Sequence, residues 1–335
     1  MDEADRELLN EIQWTFPLVV RPFDAIAEKF DTTPDVIKER MIRLKGEGVL
    51  RQLSAIFDTR RLGYTSSLVA MEIEHDKLEH VAGQINRHPG VSHNYERNHK
   101  FNLWFTLAVP PGSDLKAELA KFDVLDGIKS TRMLPTLQLF KIGVKLDMVD
   151  DKKHEIKPSE VKKDVKNVEF VPDERDKEFI RQLQKDLEIT DEPFARAAAS
   201  LGVTQDEMFA KMRHYEEIGV MRRFAAILRH RQAGFMANGM IVWKVPEERI
   251  SKVGQTLGSF PQVSHCYERP TYPDWPYNVF SMIHCKTQDE AREMAGVIQK
   301  QIHVDDYMIL FSSREFKKTR VEYFVENSFT LEVPA

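Results

Sequence analysis

The chain carries one module twice, and this repeat constrains its fold more than any single motif does. Asp5-Arg-Glu-Leu-Leu9 lines up with Asp176-Lys-Glu-Phe-Ile180, Pro22-Phe23 with Pro193-Phe194, and Glu47-Gly-Val-Leu-Arg51 with Ile218-Gly-Val-Met-Arg222, all at a spacing of 171 residues. Gly63 matches Gly234 at the same spacing. Val91-Ser-His-Asn-Tyr-Glu-Arg97 then matches Val263-Ser-His-Cys-Tyr-Glu-Arg269 at a spacing of 172, with six of the seven positions identical. Register kept over so long a stretch with one slip is a tandem duplication. The 335 residues are therefore two related halves, each near the roughly 150 residues that a domain needs to bury its own core.

Each half opens with helical periodicity. Leu8, Leu9 and Ile12 form one apolar stripe, Phe23, Ile26, Ala27 and Phe30 a second, and Val36, Ile37, Met41 and Leu44 a third that starts at Thr33-Pro34 and stops at Gly46 and Gly48. Three short helices with a tight turn at Asp31 to Thr33 predict a helix-turn-helix. Strands are expected over 50–57 and 67–73, followed by an amphipathic helix through Leu78, Val81, Ala82 and Ile85, which Ile250, Val253, Gly254 and Leu257 repeat. Strands over 91–97 and 102–109, a helix over 113–122 and a strand over 134–142 complete the order βαββαβ, which is ferredoxin-like. The expected class is α+β. The expected domains are a helix-turn-helix at 1–60, a ferredoxin-like domain at 61–148, a charged linker at 149–172, a second helix-turn-helix at 173–231 and a second ferredoxin-like domain at 232–335. Between the copies, 149–166 is rich in Asp, Lys and Glu without an apolar period, as a solvated linker would be.

The only cysteines are Cys266 and Cys285, which excludes a disulfide framework and any Cys-x-x-Cys metal knuckle. No metal site is expected. The start, Met1-Asp-Glu-Ala-Asp, is acidic where a signal peptide is basic and then apolar, and no run approaches 18 apolar residues. A cytoplasmic protein without a membrane partner is expected. Lys and Arg number 48 against 53 Asp and Glu, a net charge of -5, which weighs against a dedicated nucleic-acid binder.

The repeated string is where chemistry is concentrated. Residues two apart on a strand share a face, so His93, Tyr95, Arg97 and the following His99 project together, as do His265, Tyr267 and Arg269. An imidazole, a phenol and a guanidinium on one face make a surface that binds anions and exchanges protons; alternatively they cover a sheet rim with their tips in water. On the next strand Asn102, Trp104 and Thr106 share one parity, and Asn278, Phe280, Met282 and His284 share another. Trp104 and Phe280 suit either an aromatic ligand or plain core. His284 stands where the first copy has Ala108, so it is either an added functional imidazole or a structural one. The second copy also lengthens its hairpin with Thr271-Tyr-Pro-Asp-Trp-Pro276. Its prolines stiffen a loop whose Tyr272 and Trp275 could wall a ligand or pack on the other half. Ser313-Arg-Glu-Phe-Lys-Lys-Thr-Arg320 brings two arginines and two lysines onto or beside the last strand, which is either a strand edge protected by cations or, around a polyanion, a carboxylate clamp that includes Arg314 and Lys317.

A helix-turn-helix followed by a βαββαβ unit resembles the Lrp/AsnC regulators over nearly all of each half. The strings Ser92-His-Asn-Tyr-Glu-Arg-Asn-His99 with Asn102-Leu-Trp-Phe-Thr106, and Ser264-His-Cys-Tyr-Glu-Arg-Pro270 with Pro273-Asp-Trp-Pro-Tyr-Asn278, look like the two subunit types of the siroheme decarboxylases fused in one chain. That resemblance implies removal of two acetate carboxyl groups from siroheme, giving 12,18-didecarboxysiroheme and two CO2 on a route to heme b or heme d1. It implies siroheme as the partner, a pseudo-dimer within one chain with scope for further self-association, and no separate cofactor, because the iron enters with the substrate. Catalytic roles then fall to His93, Tyr95, His99, His265, Tyr267 and His284, with iron ligation by an imidazole as the alternative to proton donation. Substrate binding falls to Arg97, Lys100, Trp104, Arg269, Tyr272, Trp275, Arg314 and Lys317.

A transcriptional regulator of the Lrp/AsnC type, with or without a response to heme, is the competing expectation. From Thr33 to Glu47 four cations face three anions, and from Thr204 to Glu217 two face four. Phosphate neutralisation supplies much of DNA affinity, so the second helix is poorly equipped for a groove. DNA is not an expected partner, and the helix-turn-helix units read as scaffold.

Overall fold

The helical starts are set by short polar side chains. A computed structural model describes residues 1–142, 169–228, 237–285, 287–325 and 331; apart from 169–172, the segment expected as a linker lies outside these, as does Gly234. In α1 (Glu3–Ile12) the Asp2 carboxylate accepts from the Asp5 backbone N–H while Asp5 returns the exchange, and Asp173 and Asp176 repeat this capping box at α6 (Glu174–Leu183). α2 (Pro22–Lys29) and α3 (Pro34–Gly46) begin on prolines, where the missing N–H costs nothing. α7 (Ala195–Leu201) and α8 (Gln205–Glu217) are their counterparts, α8 starting at the Thr204 hydroxyl.

The two helical lobes are one body. β1 (Leu50–Phe57) and β7 (Met221–Leu228) leave the two lobes and pair antiparallel as a ribbon between them. Phe16 contacts Phe23 of its own lobe and Phe194 and Phe224 of the other. Leu8, Ile12, Met41, Leu53, Ile180, Met208 and Met212 join the same core. Tyr323 closes it from the far end of the sequence, edge-on to Phe57 and Tyr64.

After the ribbon, each half forms its βαββαβ unit: β2 (Thr65–Ile73), α4 (Leu78–Asn86), β3 (Val91–Arg97), β4 (Leu103–Val109), α5 (Leu115–Ala120) and β5 (Ile128–Pro135), followed by β6 (Gln138–Ile142). The second half has β8 (Ala237–Trp243), α9 (Ile250–Ser259), β9 (Val263–Glu268), β10 (Val279–Cys285), α10 (Gln288–Ile302) and β11 (Tyr307–Lys318). Within the halves the strands run β5-β2-β4-β3 and β11-β8-β10-β9. The halves then exchange their last strands. Tyr307 to Phe311 pair with β8, and the same strand continues from Ser312 to Lys318 along β3 of the other half.

In the first half the equivalent path is broken, where one strand over 134–142 is expected. β5 pairs with β2 up to Pro135, and β6 resumes at Gln138 against β9. Pro135 has no N–H to continue the ladder, and the change of partner falls there. The full order is β5-β2-β4-β3-β11-β8-β10-β9-β6. β5 and β6 are thus the outer strands of this nine-stranded sheet, although only two residues separate them in the chain.

Three apolar layers follow. One lies between each half's strands and its own helices. The third, between the facing strands, is built by Ala70, Phe101, Trp104 and Leu134 from one half and Met240, Val242, Trp275, Phe280 and Leu310 from the other. Gly254 records how closely the halves interlock: a Cβ there would stand 2.3 Å from the Phe140 ring of β6. Among the described residues, no helix is long and apolar enough to cross a membrane.

Candidate active site

The repeated string forms the same stack in both halves. His93 and Tyr95 have ring centroids 6.3 Å apart, with the Arg97 guanidinium 5.7 Å from the Tyr95 ring. His265 and Tyr267 are 6.1 Å apart, and Arg269 lies 4.9 Å from the Tyr267 ring. The side chains turn inward because Asn94 and Cys266, between them, bond to α4 and α9. A register slip occurs before each histidine, between Val91 and His93 and between Val263 and His265. Such a bulge re-aims side chains, and it brings the preceding serine hydroxyl to the ring: Ser92 Oγ is 3.0 Å from His93 Nδ1, and Ser264 Oγ is 2.9 Å from His265 Nδ1. Ser264 Oγ also lies 2.8 Å from His284 Nε2.

Among the described residues, Arg97 and Arg269 are held without counter-ions. Arg97 donates through Nη1 to the Leu310 carbonyl at 2.7 Å, and Arg269 donates likewise to the Leu134 carbonyl, each reaching the other half's last strand. Both Nε groups are buried and, among the described residues, without a hydrogen-bond partner. Burial holds both guanidiniums down at about 10. Arg320, donating to the Ala55 carbonyl, is likewise held at about 10, mainly by burial. Arg222 differs, since Asp58 accepts from its Nε at 3.1 Å and its Nη2 at 2.7 Å.

Tyr267, Arg269 and Arg222 converge on one cleft, and His93 feels the charges of His265 and Arg320. A cleft of about 280 Å³ opens between the ribbon and the facing sheets, lined by Asp58, Arg60 and Arg222 beside Ser66, Thr106, Leu139, Tyr267 and Arg269. His93 is pushed down to about 4, first by burial and then by the charges of Lys318 and Arg51 and by His265 and Arg320. It is a neutral imidazole at neutral pH. The Tyr267 phenol is pushed up by burial, against the pull of Arg269, Arg222 and Arg60, so it keeps its proton. The assembly is a mostly cationic, partly desolvated surface with two imidazoles and two phenols, suited to a large ligand bearing several carboxylates.

Several expected site residues are elsewhere. His99 lies beyond the end of β3, stacked on Phe101 and edge-on to Trp275, with Nδ1 accepting from the Phe101 N–H. Lys100 lies over Phe101 and beside Asp274, 3.6 Å away. Trp104 and Trp275 are each only 1% exposed and fill the layer between the sheets, so neither offers a face to a ligand. Tyr272 donates to the Met133 carbonyl at 2.6 Å, and Asp274 grips Arg132 with both oxygens at 2.9 and 2.8 Å. The proline-rich loop is thus a clasp between the halves.

Arg314 pairs with Glu79 and Glu96, and Lys317 donates to the carbonyls of Asn86 and His88. Both are on the helix side of β11. Lys318 is the residue opposite His93. Arg320, from the cationic run at the end of the chain, belongs to this face, and so do Arg51, Arg60, Arg222, Ser92 and Ser264, for which the sequence alone gives no site role. Arg51 with Arg222, and Ser92 with Ser264, sit inside the matched strings, so the repeat itself held the signal.

The family models that match are an AsnC-like ligand binding domain, at residues 61–141 and 232–317, and a siroheme decarboxylase NirDL-like HTH domain, at 5–51 and 176–222. A siroheme decarboxylase of Hydrogenobacter thermophilus is 39% identical over 327 residues, which cover 97% of this chain and 96% of that protein. A siroheme decarboxylase beta subunit of Methanosarcina barkeri is 43% identical over 149 residues, covering 44% of this chain and 98% of the subunit. The crystal structure of the siroheme decarboxylase NirDL superposes with a TM-score of 0.75 at 35% identity, covering 97% of this chain and 96% of that one. A second structure of NirDL, in co-complex with an iron-uroporphyrin III analogue, superposes equally well at 34% identity.

Proposed function

The chain belongs to the siroheme decarboxylase family, and from that premise we propose that the cationic face shared by its halves binds siroheme while two of its acetate side chains lose CO2. The product is 12,18-didecarboxysiroheme, an intermediate toward heme b or heme d1. The observation that carries the site assignment is the trio Arg97, Arg269 and Arg320. A buried charge without a partner is costly, and here three lie beside His93, Tyr95, His265 and Tyr267 with backbone carbonyls as their hydrogen-bond acceptors. Siroheme brings eight carboxylates. Those that persist through the reaction are anchored by these arginines, by Arg222 and by Lys318.

Breaking the acetate C–C bond releases neutral CO2 and leaves an electron pair on a methylene conjugated with the pyrrole. That carbon then takes a proton and becomes a methyl group. The macrocycle delocalises the charge, so the reaction calls for no further cofactor, and the iron arrives with the substrate. Desolvation around the scissile carboxylate favours its departure as CO2. Tyr267, which keeps its proton, and His265 are positioned to deliver one. His93, held neutral, is suited to offer a nitrogen lone pair, to iron or to a hydrogen bond.

Internal ion pairs weaken the regulator alternative. Lys38 pairs with Asp35 and Asp191, Arg40 with Asp2 and Asp5, Arg43 with Asp5 and Glu47, and Lys45 with Asp186. In α8, Lys211 pairs with Asp176. Those cations are committed to ion pairs within the lobes and, for Lys38 and Lys45, between them, which supports a scaffold role. Two buried free cysteines are in keeping with a cytoplasmic setting. The test is anaerobic incubation with siroheme, read by absorbance and by mass for loss of two CO2. His93→Ala and His265→Ala each impair turnover on this reading; full rates in both would remove the site assignment.

A further inference from the structure

The two halves are unequal at one point of their shared design. In the second half, the Ser264 hydroxyl touches two imidazoles, at 2.9 Å from His265 Nδ1 and 2.8 Å from His284 Nε2, with the Met282 carbonyl at 3.3 Å. In the first half, the Ser92 hydroxyl meets only the His93 imidazole among the described residues, because Ala108 occupies the place of His284. Ser264 is buried, only 2% exposed, so its hydroxyl is turned away from solvent and toward these rings. A hydroxyl has one hydrogen and two lone pairs. Whichever neighbour receives that hydrogen, at least one of the two imidazoles must donate N–H to the oxygen, so the tautomers of His265 and His284 are linked through it.

We propose that Ser264 is a positioning residue that couples His265 and His284 into one proton-carrying unit, so that protonation of the substrate carbon falls to the second half's site. This rests on the reading that the His/Tyr/Arg face decarboxylates siroheme. The C–C bond breaks, its electron pair stays on the methylene, and a proton from His265 Nε2 forms the new C–H bond. Ser264 passes its hydrogen to Nδ1 and takes one from His284, which recovers its own from solvent. Nothing is oxidised or reduced. His93, surrounded by Lys318, Arg51 and Arg320 and held neutral, has no such reserve, and the first half's site serves to hold the macrocycle.

The test uses the full chain under anaerobic conditions, with single-turnover rates on siroheme measured in mixtures of H2O and D2O. Ser264→Ala and His284→Asn should each slow the step by roughly 10- to 100-fold, less than the roughly 10²- to 10⁴-fold that a general acid itself contributes, while siroheme binding followed by absorbance stays within about twofold. The double variant should be no slower than the slower single one, as for residues acting as a unit. The dependence of rate on deuterium fraction should be curved in the unsubstituted protein, linear in both single variants, and curved again in Ser264→Thr. Multiplicative losses in the double variant, or an unchanged rate in Ser264→Ala, would overturn the coupling. His265→Ala with full turnover would instead remove the site reading beneath it, so the two failures are told apart.

Discussion

Replacing Arg97 with methionine should leave the unliganded protein about as stable as before while weakening siroheme binding severely. Arg97 is 7% exposed and, among the described residues, makes one side-chain hydrogen bond, to the Leu310 carbonyl at 2.7 Å, with its Nε unpartnered. Burial holds its guanidinium at about 10 against the usual 12.5, a difference worth about 3 kcal/mol of unfavourable desolvation. Methionine removes that cost. It also removes a charged hydrogen bond worth about 1.5–3 kcal/mol and a cation–π contact with Tyr95 worth about 0.5–1 kcal/mol. The balance is close to zero, within about 2 kcal/mol. Breaking a buried ion pair by removing one partner, by contrast, costs about 3–5 kcal/mol.

With siroheme present, Arg97→Met removes the partner of a desolvated carboxylate, a loss of about 2–4 kcal/mol, or roughly 30- to 1000-fold in Kd. Urea unfolding without ligand and absorbance titration with siroheme measure the two effects separately. A stability loss above about 4 kcal/mol with unchanged siroheme affinity would refute the reasoning and make Arg97 a pin between the halves.

Three further outcomes follow from the geometry. Gly254→Ala places a Cβ against the Phe140 ring, and overpacking of this kind should cost about 1–3 kcal/mol in urea unfolding, since β6 must retreat from α9. Asp274→Ala removes the two-oxygen grip on Arg132 and should cost about 1–2 kcal/mol; siroheme affinity should stay within about twofold, because the clasp is not part of the cationic face. His93 is held at about 4 in the fold against about 6.5 unfolded. The stability it contributes is therefore present above pH 6.5 and is lost as the pH falls toward 4, up to about 3 kcal/mol. The stability of His93→Asn should lack that part of the acid slope, and parallel slopes in the two proteins would contradict it.

Local pattern and repetition account for much of this fold. The alternation from His93 to Arg97 placed three side chains on one face because a strand has a period of two, and the second copy shows the same stack. The helices and the βαββαβ order follow from apolar spacing in the same way. Strand exchange between the halves is different in kind. It depends on which distant edge β11 and β6 meet, and no short-range spacing encodes that.

The misplaced residues follow from this exchange. The charge of the run from Arg314 to Arg320 suits a carboxylate clamp, but β11 pairs with β3 through two register slips, between Ser312 and Arg314 and between Glu315 and Lys317, and each slip shifts which side chains share a face. Lys318 therefore faces His93. His99, Lys100, Tyr272 and Trp275 drew attention for their chemistry, yet Trp275 draws His99 and Phe101 into the joint between the halves. The cations of β1 and β7 act at the site only because the ribbon docks over the sheets, a placement that depends on both lobes at once.

Strand exchange also sets an order of events during synthesis. β3 carries His93, Tyr95 and Arg97, and its outer edge is completed by β11, so that Arg97 meets a carbonyl 213 residues further along. Translation runs from the N-terminus, so this strand leaves the ribosome with its backbone groups unpaired on one side and stays so until residues 312–318 have been made. A nascent first half therefore has no finished His/Tyr/Arg face, and its open strand is a place where a chaperone, or another unfinished chain, can add a strand of its own.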